Sequence, residues 1–340
     1  MKVIVKYVLG VLLLVGWGNV TQAQQKKYTY FSVGAMIGTS HYQGDLDDNG
    51  FEPWRDGSMH LKTLRPSFGL QVNYHFNPHM FVRLAYNQGW INGADSLSSD
   101  NTRKARNLHF SSGINEVSAQ LVYEFFASDR HYEYRPKWSP YVFTGISVFH
   151  FNPKAKPNAS WVKNYPNMFA KDDYDQWVEL KPLGTEGQNL PDGLRAKNDL
   201  PDPYGLTQIS IPIGIGVRYM LTKKLDLRVE LSMRKTFTDY LDDVGGPNYA
   251  PPEDLVRYQS EKSFLFADRS QWAGFGEGRR GYNYPYGMSS DNRKARYQGA
   301  YGQDGEFRGN RNDKDWYAFF QVGVTYILDR GARCPRFKKP

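Results

Sequence analysis

The sequence predicts an all-β fold: an eight-stranded antiparallel transmembrane outer-membrane β-barrel with long extracellular loops. Three observations carry that expectation. They are an export signal at the N-terminus, a series of period-two segments long enough to cross a bilayer, and connections that alternate short and long. Composition sets the bounds. The chain has 340 residues, 43 Lys+Arg against 35 Asp+Glu, a formal net charge of +8 and 15% aromatic residues. A mean hydropathy of −0.64 argues against a helical membrane bundle. The aromatic content argues against a disordered chain. A single cysteine, Cys334, excludes a disulfide framework and a cysteine-rich zinc site.

Residues 1–23 read as a signal peptide. Lys2 and Lys6 flank the start of an uncharged, mostly apolar run from Tyr7 to Val15, and Thr21-Gln22-Ala23 offers a small-x-small cleavage site. The run is shorter than the roughly 20 residues that span a bilayer as a helix. A barrel domain is then expected over 24–328, followed by a periplasmic tail over 329–340. The first strand lies near 28–41, where Phe31, Val33, Ala35 and Ile37 oppose Ser32, Gly34 and Gly38. In the second, near 64–76, Phe68, Leu70, Val72, Tyr74 and Phe76 oppose Ser67, Gly69, Gln71, Asn73 and His75. Met80, Val82, Leu84 and Tyr86 form the outer row of the third, and Val117, Ala119, Leu121, Tyr123 and Phe125 that of the fourth. The fifth, over 141–151, has no clear facing.

The sixth, over 205–221, decides between barrel and sandwich. Thr207, Ile209, Ile211, Ile213, Ile215, Val217, Tyr219 and Leu221 share one face, with Gln208, Ser210, Pro212, Gly214, Gly216 and Arg218 on the other. A soluble strand usually has about 5 to 6 residues and a transmembrane strand about 9 to 11. Leu225, Leu227, Val229, Leu231 and Met233 give the seventh outer row. Trp316, Ala318, Phe320, Val322, Val324, Tyr326 and Leu328 give the eighth. An even count places both chain ends on one side. Connections at 77–79, 127–138 and 222–224 are short, whereas those near 42–63, 88–112, 152–205 and 238–314 are long, which is the pattern of periplasmic turns and extracellular loops. Tyr74, Phe76, Tyr86, Trp90, Tyr123, Phe125, Trp138, Tyr141, Tyr219 and Trp316 are candidates for interfacial girdles.

The inward rows contain Arg83, Arg218, Arg228 and Arg234 with Glu116, Glu124, Asp226 and Glu230. Matched charges in so narrow a barrel predict a plugged lumen rather than a selective pore. Other candidates are weaker. Asp45-Leu46-Asp47-Asp48-Asn49-Gly50, with Asp56 twelfth, resembles the opening of a calcium loop, but no helices flank it and Pro53 interrupts it. Asp239, Asp242 and Asp243 are expected to cap turns or bind nearby bases. His41, Ser40 and Asp45 are one of many chance trios that could meet at the rim to give a hydrolase its base, nucleophile and orienting group. The near-repeat at 98–106 and 289–296 places basic loops outward, where lipopolysaccharide phosphates lie; nucleic acid is not an expected partner.

Several segments together carry a family resemblance: Tyr42-Gln43-Gly44-Asp45-Leu46, Leu64-Arg65-Pro66-Ser67-Phe68-Gly69, Arg106-Asn107-Leu108-His109-Phe110 and Phe151-Asn152-Pro153-Lys154-Ala155. Two longer ones are the most specific, Pro182-Leu183-Gly184-Thr185-Glu186-Gly187-Gln188 and the run from Arg234 to Val244, Arg-Lys-Thr-Phe-Thr-Asp-Tyr-Leu-Asp-Asp-Val. In this order they resemble the PorG family, outer-membrane barrels of the type IX secretion system. The likeness runs from about residue 30 to 250; the stretch 250–314 matches nothing in it. The resemblance implies a non-enzymatic component with no catalytic residues to carry over, and no cofactor is expected. It also implies partners in the periplasm, the lipoprotein PorK and the ring protein PorN. Surfaces able to reach such a ring are the short turns and the tail, so His79, Lys223, Lys224, Arg333, Cys334 and Arg336 are the expected partner-facing residues.

Overall fold

The computed structural model describes residues 29–46, 64–98, 106–128, 132–164, 166–170, 173–246, 248–269, 308–309 and 314–328. The signal sequence, most of the calcium-like loop beyond Leu46, both basic near-repeats apart from Ser98 and Arg106, and the tail with Arg333, Cys334 and Arg336 lie outside them.

The strands in chain order are β1 (Tyr30–Gln43), β2 (Arg65–His75), β3 (Met80–Ala94), β4 (His109–Glu124), β5 (Trp138–His150), β6 (Lys154–Ala155), β7 (Val178–Glu179), β8 (Thr207–Met220), β9 (Leu225–Thr236) and β10 (Trp316–Leu328). Eight of them close into one antiparallel barrel. β1 through β5 pair in sequence, β5 pairs with β8, β8 with β9, β9 with β10, and β10 returns to β1 from Phe31↔Leu328 to Gln43↔Trp316. Closure leaves no edge strand, so every barrel strand has partners on both sides for its backbone groups. The short β6 and β7 extend β4 above the barrel, through Ser111↔Lys154 and Lys154↔Glu179.

Alternation sorts side chains as the sequence requires. Apolar residues face outward and stay exposed: Leu70 at 62%, Leu84 at 57%, Ile213 at 53% and Ile215 at 58%. Single exposed leucines are ordinary, but a continuous belt of them around a closed cylinder is surface made for lipid. On β2 the belt runs from Phe68 to Phe76. Eight residue steps of about 3.4 Å, tilted by about 40°, give a band roughly 20–25 Å tall, matching the hydrocarbon-facing band of a transmembrane barrel. Among the described residues no helix is long and apolar enough to cross a membrane.

Three expectations change. β5 now has a definite facing: Val142, Ile146 and Val148 point outward, while Tyr141, Phe143 and Phe149 point inward. Tyr141 therefore is not a girdle residue; it is 1% exposed and donates to Glu230 Oε1 at 2.5 Å. The connection expected over 88–112 is shorter, because β3 continues to Ala94 and β4 begins at His109. In this added length the interior changes from charged to apolar, with Ile91, Phe110 and Ile114 buried. The period-two signal persists there, but the inner row is apolar and the outer row polar (Gln88, Asn92, Ser111, Asn115), opposite to the lipid-level pattern.

The described parts of the long loops are folded. They form helices at Ala159–Asn164, Asp192–Lys197, Pro252–Tyr258 and Glu261–Ala267. One apolar cluster joins them to the barrel mouth, running from Phe149, Tyr317 and Phe319 through Phe151, Leu108 and Leu46 to Trp161, Leu241 and Phe266. A second, around Leu190, Leu200, Leu255 and Phe264, packs the two later helices on the 182–200 segment. The result is a folded cap over the long-loop end.

Candidate functional site

Inside the barrel the arginines and carboxylates predicted to face inward meet in pairs. Arg234 Nε lies 2.9 Å from Glu116 Oε2, and Arg83 Nη2 lies 2.9 Å from Glu230 Oε1. Glu124 takes Arg218 Nε at 3.0 Å and Arg228 Nη2 at 3.4 Å. Asp226 takes Arg135 Nη2 at 2.5 Å and lies 3.9 Å from Arg218. Aromatic faces fill the gaps, with the Arg228 guanidinium 5.2 Å from the Phe81 ring and 5.1 Å from Tyr141. Burying this many charges is costly unless they are partnered. The strand period matches them here, because it sends Arg83, Glu230 and their neighbours to one face from four different strands.

Arg135 was not expected in this set. It comes from the turn between β4 and β5, reaches into the lumen, and also donates to the carbonyls of Tyr132 and Lys223 at 2.8 and 2.9 Å. It closes the short-turn end. Its signal in the sequence, a lone Arg beside Pro136, gives no indication of an inward reach.

The predicted partner-facing residues divide by place. His79 sits in the β2–β3 turn, its Nδ1 2.8 Å from the Glu124 carbonyl and its ring stacked on Tyr123 at 5.7 Å, so it helps to build that end. Lys223 and Lys224 are exposed at the β8–β9 turn, and Lys223 Nζ is 3.4 Å from Glu133 of the neighbouring turn. Around them Phe126, Tyr134 and Trp138 are exposed as well, giving this end an aromatic and basic surface.

At the opposite end, five of the six segments that carry the resemblance converge in the cap. Arg106 donates to both carboxylate oxygens of Asp95, at 2.8 and 2.6 Å, and to the carbonyl of Asp45 at 2.9 Å. Burial opposes its charge, but Asp95 outweighs that and holds its pKa above the usual arginine value. The two most specific segments lock onto each other. Thr185, Gln188 and Tyr204 all donate to the Asp243 carboxylate, and the amides of Gly245 and Gly246 donate to Glu186 at 3.1 and 2.9 Å. Arg308 completes the joint, with Nε 3.0 Å from Glu186 Oε1 and further donors to Thr185 and the Asp243 and Ala267 carbonyls. Burial, with the nearby Asp243 charge, pushes the Glu186 carboxyl up to about 7 against the pull of Arg308 and the two amides. Burial raises Asp243 too. Arg308 lies in the stretch where no resemblance was found, so neither Glu186 nor Asp243 announces its partner in the sequence.

The hydrolase trio does not assemble. Ser40 faces inward and donates to the Trp90 carbonyl at 2.5 Å, whereas His41, one residue on, points to the other side of the strand. Asp239, Asp242 and Asp243 serve the cap as expected: Asp242 Oδ1 accepts from the Val244 amide at 2.9 Å, and Asp239 lies 3.7 Å from Lys314. Of the calcium-like loop only Asp45 and Leu46 are described. Among the described residues no group of three or more His, Cys, Asp or Glu side chains is placed to hold a metal.

Residues 6–168 match a family described as a domain of unknown function, DUF6089. No curated protein matches the chain. Among solved structures it is similar to Neisserial surface protein A, at 10% identity over 87% of this chain and 96% of that one, with a TM-score of 0.34. It is similar to Ail, the attachment invasion locus protein of Yersinia pestis, at 9% identity over 88% and 97%, with a TM-score of 0.33. A third is a major outer membrane protein from Thermus thermophilus, at 11% identity over 88% and 99%, with a TM-score of 0.31. At such scores the barrel assignment rests on the closed strand pairing itself.

Proposed function

We propose that this protein is a non-enzymatic outer-membrane barrel of the type IX protein secretion machinery, anchoring a periplasmic ring of PorK-like and PorN-like subunits. The observation that carries the reading is the paired charge filling of the lumen. Arg234–Glu116, Arg83–Glu230 and the Arg218–Glu124–Arg228 group occupy the space a solute would use. An eight-stranded barrel filled by its own side chains leaves little room for a solute and suits a rigid post fixed in lipid. In this reading the exposed turn surface around Lys223 and Lys224 faces the periplasm, and the six segments resembling PorG support the assignment to type IX secretion.

The test is purification of the full chain from detergent-solubilised outer membranes, with a photo-crosslinker placed at position 223 or 224. Ring subunits should co-purify and crosslink at the turn. Conductance of the isolated barrel in planar bilayers without any co-purifying ring protein would replace this reading with that of a stand-alone solute channel.

A further inference from the structure

Where β1 ends, the Tyr42 hydroxyl lies 2.7 Å from Asp242 Oδ2 and 3.0 Å from Asp315 Oδ1. All three side chains are buried. A phenol has one proton to donate. With both carboxylates ionised, one of the two short oxygen–oxygen contacts would set a lone pair against a negative charge. A second proton on a carboxyl oxygen, donated to the phenol oxygen, satisfies both contacts. The far oxygens are already occupied: Asp242 Oδ1 by the Val244 amide and Asp315 Oδ2 by the Leu241 amide, each at 2.9 Å. The proton therefore belongs on the side facing Tyr42.

We propose that the Asp242–Tyr42–Asp315 cluster retains one proton between its two carboxyl groups, and that this proton latches the cap to the mouth of the barrel. The three residues come from the end of β1, the loop after β9 and the position before β10, so they join three adjacent strands where they leave the membrane. Among the described residues no Lys or Arg forms an ion pair with either carboxyl group. The charged neighbours are Asp45, Asp239 and Arg106; Arg106 is engaged by Asp95 at 2.6 Å, and Lys314 is 3.7 Å from Asp239. Burial and these acidic neighbours raise both Asp242 and Asp315, in the way two carboxyls sharing a site hold a proton between them. Space is tight as well: a Cβ on Gly44 would lie 1.9 Å from Asp315 Oδ1 and 2.1 Å from the Tyr42 hydroxyl. The inference is independent of any role in secretion.

Hydrogen exchange of the full chain in detergent micelles tests it, with protection corrected for the intrinsic pH dependence of exchange. Protection of the Leu241 and Val244 amides should be high near neutral pH and fall about tenfold per pH unit once the shared proton titrates, while the barrel strands stay protected. Asp315→Asn supplies a permanent N–H to the phenol oxygen and should abolish the fall above neutral pH. Asp242→Asn, which supplies the donor from the other side, should do the same if the first variant does not fold. At a pH above the Glu186 titration, an infrared carbonyl band of a protonated carboxylic acid should be stronger in the unaltered protein than in either variant, a difference that the unaffected Glu186 and Asp243 carboxyls cannot produce. A flat profile in the unaltered protein, an Asn variant that keeps the alkaline loss, or alkaline protection that returns only with added calcium would each overturn the proposal.

Discussion

Replacing Glu124 by Ala removes the carboxylate on which two buried arginines converge. Arg218 Nε is 3.0 Å from it and Arg228 Nη2 3.4 Å, and the two arginines stand directly opposite each other across β8 and β9. After the change Arg218 retains Asp226 at 3.9 Å and the Pro136 carbonyl at 3.3 Å, while Arg228 keeps a hydrogen bond to Thr325 Oγ1 at 3.2 Å, its aromatic neighbours and the more distant charges of Asp226 and Glu230. Two charges at such a distance interact by about 4 kcal/mol at an effective dielectric of 20. Removing one partner of a buried pair costs about 3–5 kcal/mol. We therefore expect Glu124→Ala to destabilise the barrel by about 4 kcal/mol, close to three decades in the folding equilibrium. The assay is reversible urea unfolding in micelles, followed by tryptophan fluorescence and by the mobility difference of folded barrel on unheated gels. The double variant Glu124→Ala/Arg228→Met removes the uncompensated charge and should recover most of the loss, giving a coupling energy of about 2–3 kcal/mol. A single variant within 1 kcal/mol of the parent, or a double variant as damaged as the single, would refute a lumen held by charge pairing.

On the lipid side, Ile213→Arg should cost about 2–4 kcal/mol in the same assay, whereas Ile213→Leu should be nearly neutral; equal stability of the Arg variant would mean that this face does not meet lipid. In the cap, Arg308→Ala leaves Glu186 buried without its ion partner, and protease cleavage within 182–269 should rise while the folded-barrel gel shift persists. The cap should also respond to pH. Glu186 and Asp243 have folded pKa values raised above their unfolded ones, Glu186 to about 7, so the folded cap binds protons that the unfolded chain has released. Their contribution is complete below the unfolded value and is lost as pH rises through about 7, so exchange protection of the Gly245 and Gly246 amides should decline between about pH 4 and 7, and Glu186→Gln should lessen the decline to the share due to Asp243.

The barrel was legible because its two faces meet different solvents. Ile209 to Tyr219 face lipid and Ser210 to Arg218 face the packed lumen, so the alternation is written residue by residue in the chain. The inward charges were legible for the same reason, and only Arg135, which arrives from a turn, escaped. Tyr141 was misplaced because an aromatic residue at a strand end suits a girdle and a packed lumen equally well; its partner Glu230, 89 positions away, decides the matter. The cap was much less legible. Its order depends on contacts such as Arg308–Glu186 across 122 positions, and no local period marks a residue whose partner lies in another loop. What the sequence did show was a set of specific segments, Thr185 to Gln188 and Asp239 to Val244 among them, without showing that they touch.

The Tyr42–Asp315 contact joins positions 273 apart, one at the end of the first barrel strand and the other just before the last. Such a contact cannot form until the C-terminal strand has docked beside the N-terminal one and the cylinder has zipped shut. This latch between cap and barrel is therefore a report on the seam beneath it, made only once the cylinder is closed. A chain with β10 undocked would lack this contact, while contacts made on one side of the seam, such as Arg106 with Asp95, do not require closure.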